Sequence, residues 1–191
     1  TRFINVNENV NELHMEDLNK EEQVVLVDEQ NEVLGYVGKL EAHTKGLLHR
    51  AISVIIFNDK GEMLVQQRAF NKYHWAGIWS NTCCSHPRKN ESFAEAAERR
   101  LFEELGFRTP LTEQFHFIYK AHDEKSGLTE WEYDTVFTGV YEAPFEFNKA
   151  EVNDVKWMST AELEKEFATN SDNYSFWYKV IFAELKKRGV I

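Results

Sequence analysis

Ser92 and Gly106 bracket a helix that any fold of this chain must accommodate. Ser92 followed by Glu95 forms a capping box, in which the serine and a glutamate three residues on satisfy free N–H groups of the first turn. Gly106 supplies the stop, because glycine enters the left-handed conformation that closes a helix at little steric cost. Phe93, Ala97, Leu101 and Leu105 recur at helical spacing, which predicts one apolar face over residues 93–105. The charges run Glu91, seven residues, then Arg99, Arg100, Glu103 and Glu104 before the glycine. Taken alone, Arg100 with Glu104 reads as a surface i, i+4 ion pair worth roughly a few tenths of a kcal/mol.

The rest of the chain punctuates as strands and two further helices. Residues 23–38 read as two apolar strands around a polar turn, and 49–58 and 62–68 as a hairpin through Asp59-Lys60-Gly61. Strands are predicted at about 114–122, 131–141 and 154–158, a helix opened by the capping box of Ser159 with Glu162, and a last helix over 174–188. The expectation is an α/β (α+β) chain with strands dominating the middle, one domain over 1–191 with an N-terminal extension of about 1–30. No apolar run approaches the roughly 20 residues a membrane span needs, and the N-terminus lacks a secretory pattern. A soluble, cytoplasmic protein is expected.

Charge narrows the partners. With 32 acidic against 22 basic residues the chain carries −10, which disfavours nonspecific nucleic-acid or anionic-membrane binding. A phosphate ligand would need a local cluster of Lys and Arg together with a metal ion. The two cysteines, Cys83 and Cys84, are neighbours. Adjacent Cα atoms lie about 3.8 Å apart, closer than a disulfide prefers, so free thiols and a reducing compartment are expected.

Three short patterns carry candidate chemistry. Cys84 and His86 stand at i, i+2, and Pro87 biases His86 toward extended backbone, so both side chains would share one direction. The plain alternative is a buried cysteine beside a hydrogen-bonded loop histidine. Glu130 and Glu132 repeat the spacing at a strand start, with Trp131 and Tyr133 on the other face. If that carboxylate face is wet, it is an ordinary strand; if buried, the like charges need a cation or a raised pKa. His43 and His49 flank a stretch where a loop enters a strand. Together His43, His49, His86, Glu130 and Glu132 offer a nitrogen and oxygen set that suits a divalent ion. Spacing alone leaves their convergence open.

The helix pattern resembles the Nudix box: Gly, five residues, Glu, seven residues, Arg-Glu-aliphatic-x-Glu-Glu-x-Gly. Ser85 stands at the opening Gly and Arg100 at the Glu after the Arg, departures that weaken a hydrolase metal cluster. Chance occurrence of the whole pattern is low. Ala42-His43-Thr44 with His49, Trp75-Ala76-Gly77-Ile78-Trp79-Ser80-Asn81, Cys84-Ser85-His86-Pro87, Arg99-Arg100 with Glu104-Leu105-Gly106, and Glu130-Trp131-Glu132 extend the match from about Leu34 to Trp177. In this order they resemble the type I isopentenyl diphosphate isomerase family, in which the altered box is expected.

That resemblance implies a Nudix fold, a mixed β-sheet packed between helices with N-terminal strands added. It implies interconversion of isopentenyl and dimethylallyl diphosphate by protonation and deprotonation through a tertiary carbocation. By position, Cys84, Glu132 and Tyr119 match catalytic residues, and His43, His49, His86, Glu130 and Glu132 match ligands of one tightly bound divalent metal, Mn, Mg or Zn. Glu104 matches the residue that helps hold Mg at the substrate diphosphate. Lys39, Arg68, Lys72 and Arg100 match basic residues around that diphosphate, and Trp177 an aromatic facing the hydrocarbon; the face of Trp177, with that of Trp75 or Trp79, would stabilise the cation. Cys83 is expected to be structural. The implied partner is a small isoprenoid diphosphate, bound by a monomer or homodimer. A Nudix diphosphohydrolase and a noncatalytic diphosphate- or metal-binding module remain the rival readings.

Overall fold

The computed structural model describes residues 22–191. Most of the expected N-terminal extension, and with it any covering of the pocket, lies outside the described residues. Residues 23–38 fold as the antiparallel pair β1 (Gln23–Val27) and β2 (Val33–Gly38). Next comes a short helix, α1 (Lys39–Lys45), where a loop was expected; Gly46 closes it in the left-handed region, its N–H donating to the Ala42 carbonyl. This helix starts without a side-chain cap. A single capless turn or two leaves little mark on a sequence, since short helices draw their stability from packing.

The hairpin forms as read: β3 (His49–Phe57) and β4 (Met63–Arg68) are joined through the Asn58–Glu62 turn. Two short strands unmarked in the sequence follow, β5 (Trp79–Ser80) and β6 (Cys83–Ser85). The bracketed helix is α2 (Phe93–Leu105), with both halves of the Ser92–Glu95 capping box made. Then come β7 (Thr112–Asp123), β8 (Leu128–Val140) and β9 (Val152–Met158). The Ser159–Glu162 box opens α3 (Thr160–Thr169), and α4 (Phe176–Lys187) is the last helix.

The strands belong to one mixed sheet centred on β3. β8 runs parallel to it from His49↔Glu132 to Phe57↔Val140, and β6 runs antiparallel along its other edge through Ser53↔Cys84. β7 pairs outside β8, while β4, flanked by β9 and β5, meets β3 at Phe57↔Met63. Alternate residues of β3 face opposite layers. Ile52, Val54 and Ile56 pack on Ala97, Leu101 and Leu105 of α2. Ile55 packs on Trp177, Tyr178, Ile181 and Leu185 of α4. This is the sheet between helices that the sequence implied. Among the described residues no helix is long and apolar enough to cross a membrane.

Gly106 is required twice over. Its φ is 74°, and a Cβ there would lie 2.3 Å from the Glu146 carbonyl oxygen. Left-handed backbone costs an L-residue about 1–2 kcal/mol before any clash is counted. Gly106→Ala is therefore expected to lower unfolding free energy by at least that much in denaturant titration; an unchanged midpoint would contradict it.

Candidate metal centre and active site

Strand parity decides which side chains meet. Residues opposite each other in a ladder project to the same side, and so do every second residues along a strand. His49 lies opposite Glu132, Ala51 opposite Asp134, and Ser53 opposite Cys84. Period 2 adds Glu130 along β8 and His86 beyond β6, while Tyr119 of β7 lies opposite Glu132. α1 brings in His43, so the α4 face of the sheet gathers residues spread over ninety positions of sequence.

Five of them converge: one ligand atom each from His43, His49, His86, Glu130 and Glu132 lies within 4.8 Å of all the others. The two carboxylates are only 5% and 7% exposed, which rules out the solvated-strand alternative. His43 Nε2 is 2.9 Å from Glu130 Oε2, His86 Nε2 is 2.8 Å from Glu132 Oε1, and His49 Nε2 is 3.6 Å from the same oxygen. His49 Nδ1 sits 2.8 Å from the Leu47 carbonyl, which can only accept. A proton on Nδ1 satisfies that carbonyl, and the neutral ring then presents its Nε2 lone pair inward. His43 Nε2, His49 Nε2 and Glu130 Oε2 are buried without an aligned hydrogen-bond partner. Buried polar atoms nearly always find one, so three orphans around one point fit a shared cation. Imidazole nitrogens with carboxylate oxygens suit a divalent ion.

The electrostatics of the cluster are unequal. Burial, then the neighbouring His49, hold His86 well below the usual histidine pKa, which keeps its lone pair free. Burial opposes the Glu130 charge, but the His43 and His74 imidazoles set against its two oxygens outweigh it and hold its carboxyl well below the usual range. Burial and the Glu130 charge raise Glu132 instead. Two carboxylates in one dry site thus differ in readiness to hold a proton.

Beside this cluster stands the thiol. Cys84 S–H donates to Asn81 Oδ1 at 2.9 Å, and Trp177 Nε1 donates to Cys84 Sγ at 3.0 Å. Burial, with the Asp134 charge, pushes the thiol up to about 12, so it is protonated at neutral pH. The rings of Trp177 and Tyr119 lie 6.2 Å apart with their planes inclined at 29°, and Tyr119 O–H donates to Glu132 Oε2 at 2.5 Å. Thiol and carboxylate are thus linked across two aromatic rings. Trp75 meets Trp177 edge-on at 5.7 Å, whereas Trp79 lies under the Lys156 ammonium at 4.1 Å. Cys83 is fully buried, and both cysteines are free thiols.

The basic residues lie around this centre, each engaged. Arg100 donates to Glu104 at 2.5 Å, Glu103 at 2.9 Å and Glu151 at 3.2 Å. Lys72 also pairs with Glu151, and Lys39 with Glu22 at 3.0 Å. Arg68 donates to the Trp75 and His74 carbonyls at 3.2 and 3.4 Å. Lys39, Arg100 and His86 line one small cavity, while Lys72, Trp75, Trp79 and Phe176 line an open cleft of about 910 Å³. Glu104 stands apart from the five-residue group, its second oxygen accepting from Gln66 Nε2 at 2.8 Å.

Three participants escaped the sequence reading. His74 Nε2 lies 2.5 Å from Glu130 Oε1, Asn81 holds the thiol, and Asp134, 1% exposed, accepts from Ser53 Oγ at 2.7 Å. Asp134 had left a signal, since it continues the alternation of Glu130 and Glu132. His74 and Asn81 sit in irregular segments where no period exists to read.

Sheet and helix together define the class: the NUDIX domain family matches residues 47–178. The Deinococcus radiodurans protein DR0079 shares the fold at a TM-score of 0.62 and 18% identity, covering 77% of this chain and 89% of its own. The MutT protein from Methanosarcina mazei Go1 gives 0.61 and 19%, covering 74% and 95%. Among curated proteins, the chain is 46% identical over 157 residues to Isopentenyl-diphosphate Delta-isomerase 2 of Aromatoleum aromaticum, 82% of each chain. It is 42% identical over 170 residues to Isopentenyl-diphosphate Delta-isomerase 2 of Photorhabdus laumondii, 89% of this chain and 96% of the relative. The chain therefore belongs to the Nudix family, among its isopentenyl-diphosphate Delta-isomerases.

A shared cation should stabilise the fold by mass action, about 2.7 kcal/mol at a hundred times Kd. For a chain of this size that is roughly 5–11 °C in Tm. Chelator-stripped protein is expected to gain such a shift on adding Mn, Mg or Zn, and His49→Ala to lose it; no shift with any of them would count against the cluster.

Proposed function

We propose that the chain interconverts isopentenyl and dimethylallyl diphosphate, with Cys84 and Glu132 as the proton-transferring pair. The carrying observation is the run from Cys84 through Trp177 and Tyr119 to Glu132, set against the buried His and Glu cluster. The relatives' names supply the substrate.

Shifting this double bond needs an acid and a base at two carbons of a short chain, with water kept out. One member of the pair gives a proton to the terminal alkene carbon, whose π electrons form the new C–H bond and leave a tertiary cation. The other takes a proton from the carbon on the far side, and that C–H electron pair becomes the new double bond. Cys84 holds its proton at neutral pH, and burial with the Glu130 charge raises Glu132 toward holding one as well. A divalent ion held by His43, His49, His86, Glu130 and Glu132 would fix Glu132 and favour its ionised form. The Tyr119 hydroxyl orients the same carboxylate. The Trp177 ring, with Trp75 against it, lowers the cation's energy by roughly 0.5–2 kcal/mol. Trp79, already under Lys156, contributes less.

Lys39, Arg68, Lys72 and Arg100 take the diphosphate with magnesium and Glu104, exchanging their present carboxylate and carbonyl partners for phosphate oxygens. All these groups come from one chain, so a monomer suffices and a homodimer adds nothing the chemistry needs. Two free thiols suit a cytoplasmic setting.

Cys84→Ala is expected to cut kcat by about 10²–10⁴ while diphosphate-analogue affinity changes little. In heavy water the parent chain should take deuterium into isopentenyl diphosphate without releasing phosphate. Phosphate release would favour the hydrolase, a reading disfavoured by Arg100 occupying a carboxylate position of the helix. Neither event would leave a binding module.

A further inference from the structure

His74 serves none of the roles assigned above, yet it is nearly buried and its Nε2 sits 2.5 Å from Glu130 Oε1. Glu130 divides its oxygens: Oε1 faces His74, while Oε2 faces the cluster, 2.9 Å from His43 Nε2. The next residue back, Tyr73, places its hydroxyl 3.4 Å from His43 Nδ1. Two neighbours on one loop thus reach the outer sides of two cluster residues. The loop itself is held: Arg68 donates to the His74 and Trp75 carbonyls, and Trp75 adopts a left-handed φ of 52° with its ring against Trp177.

A histidine is a costly way to fill this space. Its Nδ1 is buried with no partner, and an orphaned buried nitrogen carries a desolvation cost that an apolar side chain would avoid. His74 also stays outside the five-residue group, because its inward nitrogen is spent on Glu130.

We propose that His74 is a positioning residue for the metal centre, its Nε2–H locking Glu130 so that only Oε2 is offered to the ion, with Tyr73 bracing His43 on the opposite nitrogen. A carboxylate free to rotate offers either oxygen or both; one held from behind offers a single oxygen in a fixed direction. Such outer contacts commonly contribute 10- to 100-fold in metal affinity. The loop that carries the brace also carries Trp75, so it ties the metal centre to the aromatic wall above the thiol. This inference rests on the reading that the five residues bind a divalent ion.

The test measures Mn or Zn affinity by chelator competition on the 191-residue chain, stripped and reloaded, in the parent, His74→Ala and His74→Gln. The expected result is a loss of about 10- to 100-fold in His74→Ala, with most affinity recovered in His74→Gln, whose amide N–H reaches the same oxygen. The stripped proteins should melt together, which separates the brace from general packing. Unchanged affinity in His74→Ala overturns the proposal, as does a His74→Gln variant as weak as the alanine. A parent chain that binds neither ion overturns the five-residue reading and this brace with it.

Discussion

The parallel register between β3 and β8 is the constraint on which the rest depends. It sets His49 beside Glu132 and runs unbroken to Phe57 beside Val140. Because side chains alternate, a slip of one residue would turn Glu130, Glu132 and Asp134 into the α2 core and expose the apolar set. Alternation along β3 therefore secures the site as well as the core. Ile52, Val54 and Ile56 commit one face to α2, and the other carries His49, Ala51, Ser53, Ile55 and Phe57, with Ile55 against α4 and the two polar residues at the site.

Charge management follows from the same placement. The chain is acidic, yet the site that its family relatives point to must accept an anion. Lys39, Lys72 and Arg100 are held meanwhile by Glu22, Glu103, Glu104 and Glu151, so these cations are neutralised locally instead of exposed. The buried carboxylates have the converse problem. Glu130 is kept charged by imidazoles, whereas Glu132, just as buried, also faces the Glu130 charge. A single environment with two differently poised carboxylates is what separate structural and proton-handling roles require.

Legibility varied with local order. The two capping boxes were readable because their residues lie within one turn and their geometry is local. The shared direction of Cys84 with His86, and of Glu130 with Glu132, was readable because period 2 is intrinsic to extended chain. α1 was invisible, being short and uncapped, and so His43 was assigned to a loop. His74 and Asn81 were invisible for a related reason: both sit on irregular backbone, and the His74 role rests besides on a contact 56 positions away. Asp134 was visible in principle, as the third rung of a two-residue alternation.

By itself, then, the sequence determined the longer strands and helices, the facing of those strands and the chemical type of every donor, since these depend on spacing and composition over a few residues. Whether Glu130 and Glu132 were wet or dry, and whether three histidines from distant segments pointed at one place, was left undecided. Only tertiary structure settled those questions. Burial and convergence arise from strands pairing across long loops, and no local interaction energy records which partner lies on the other side.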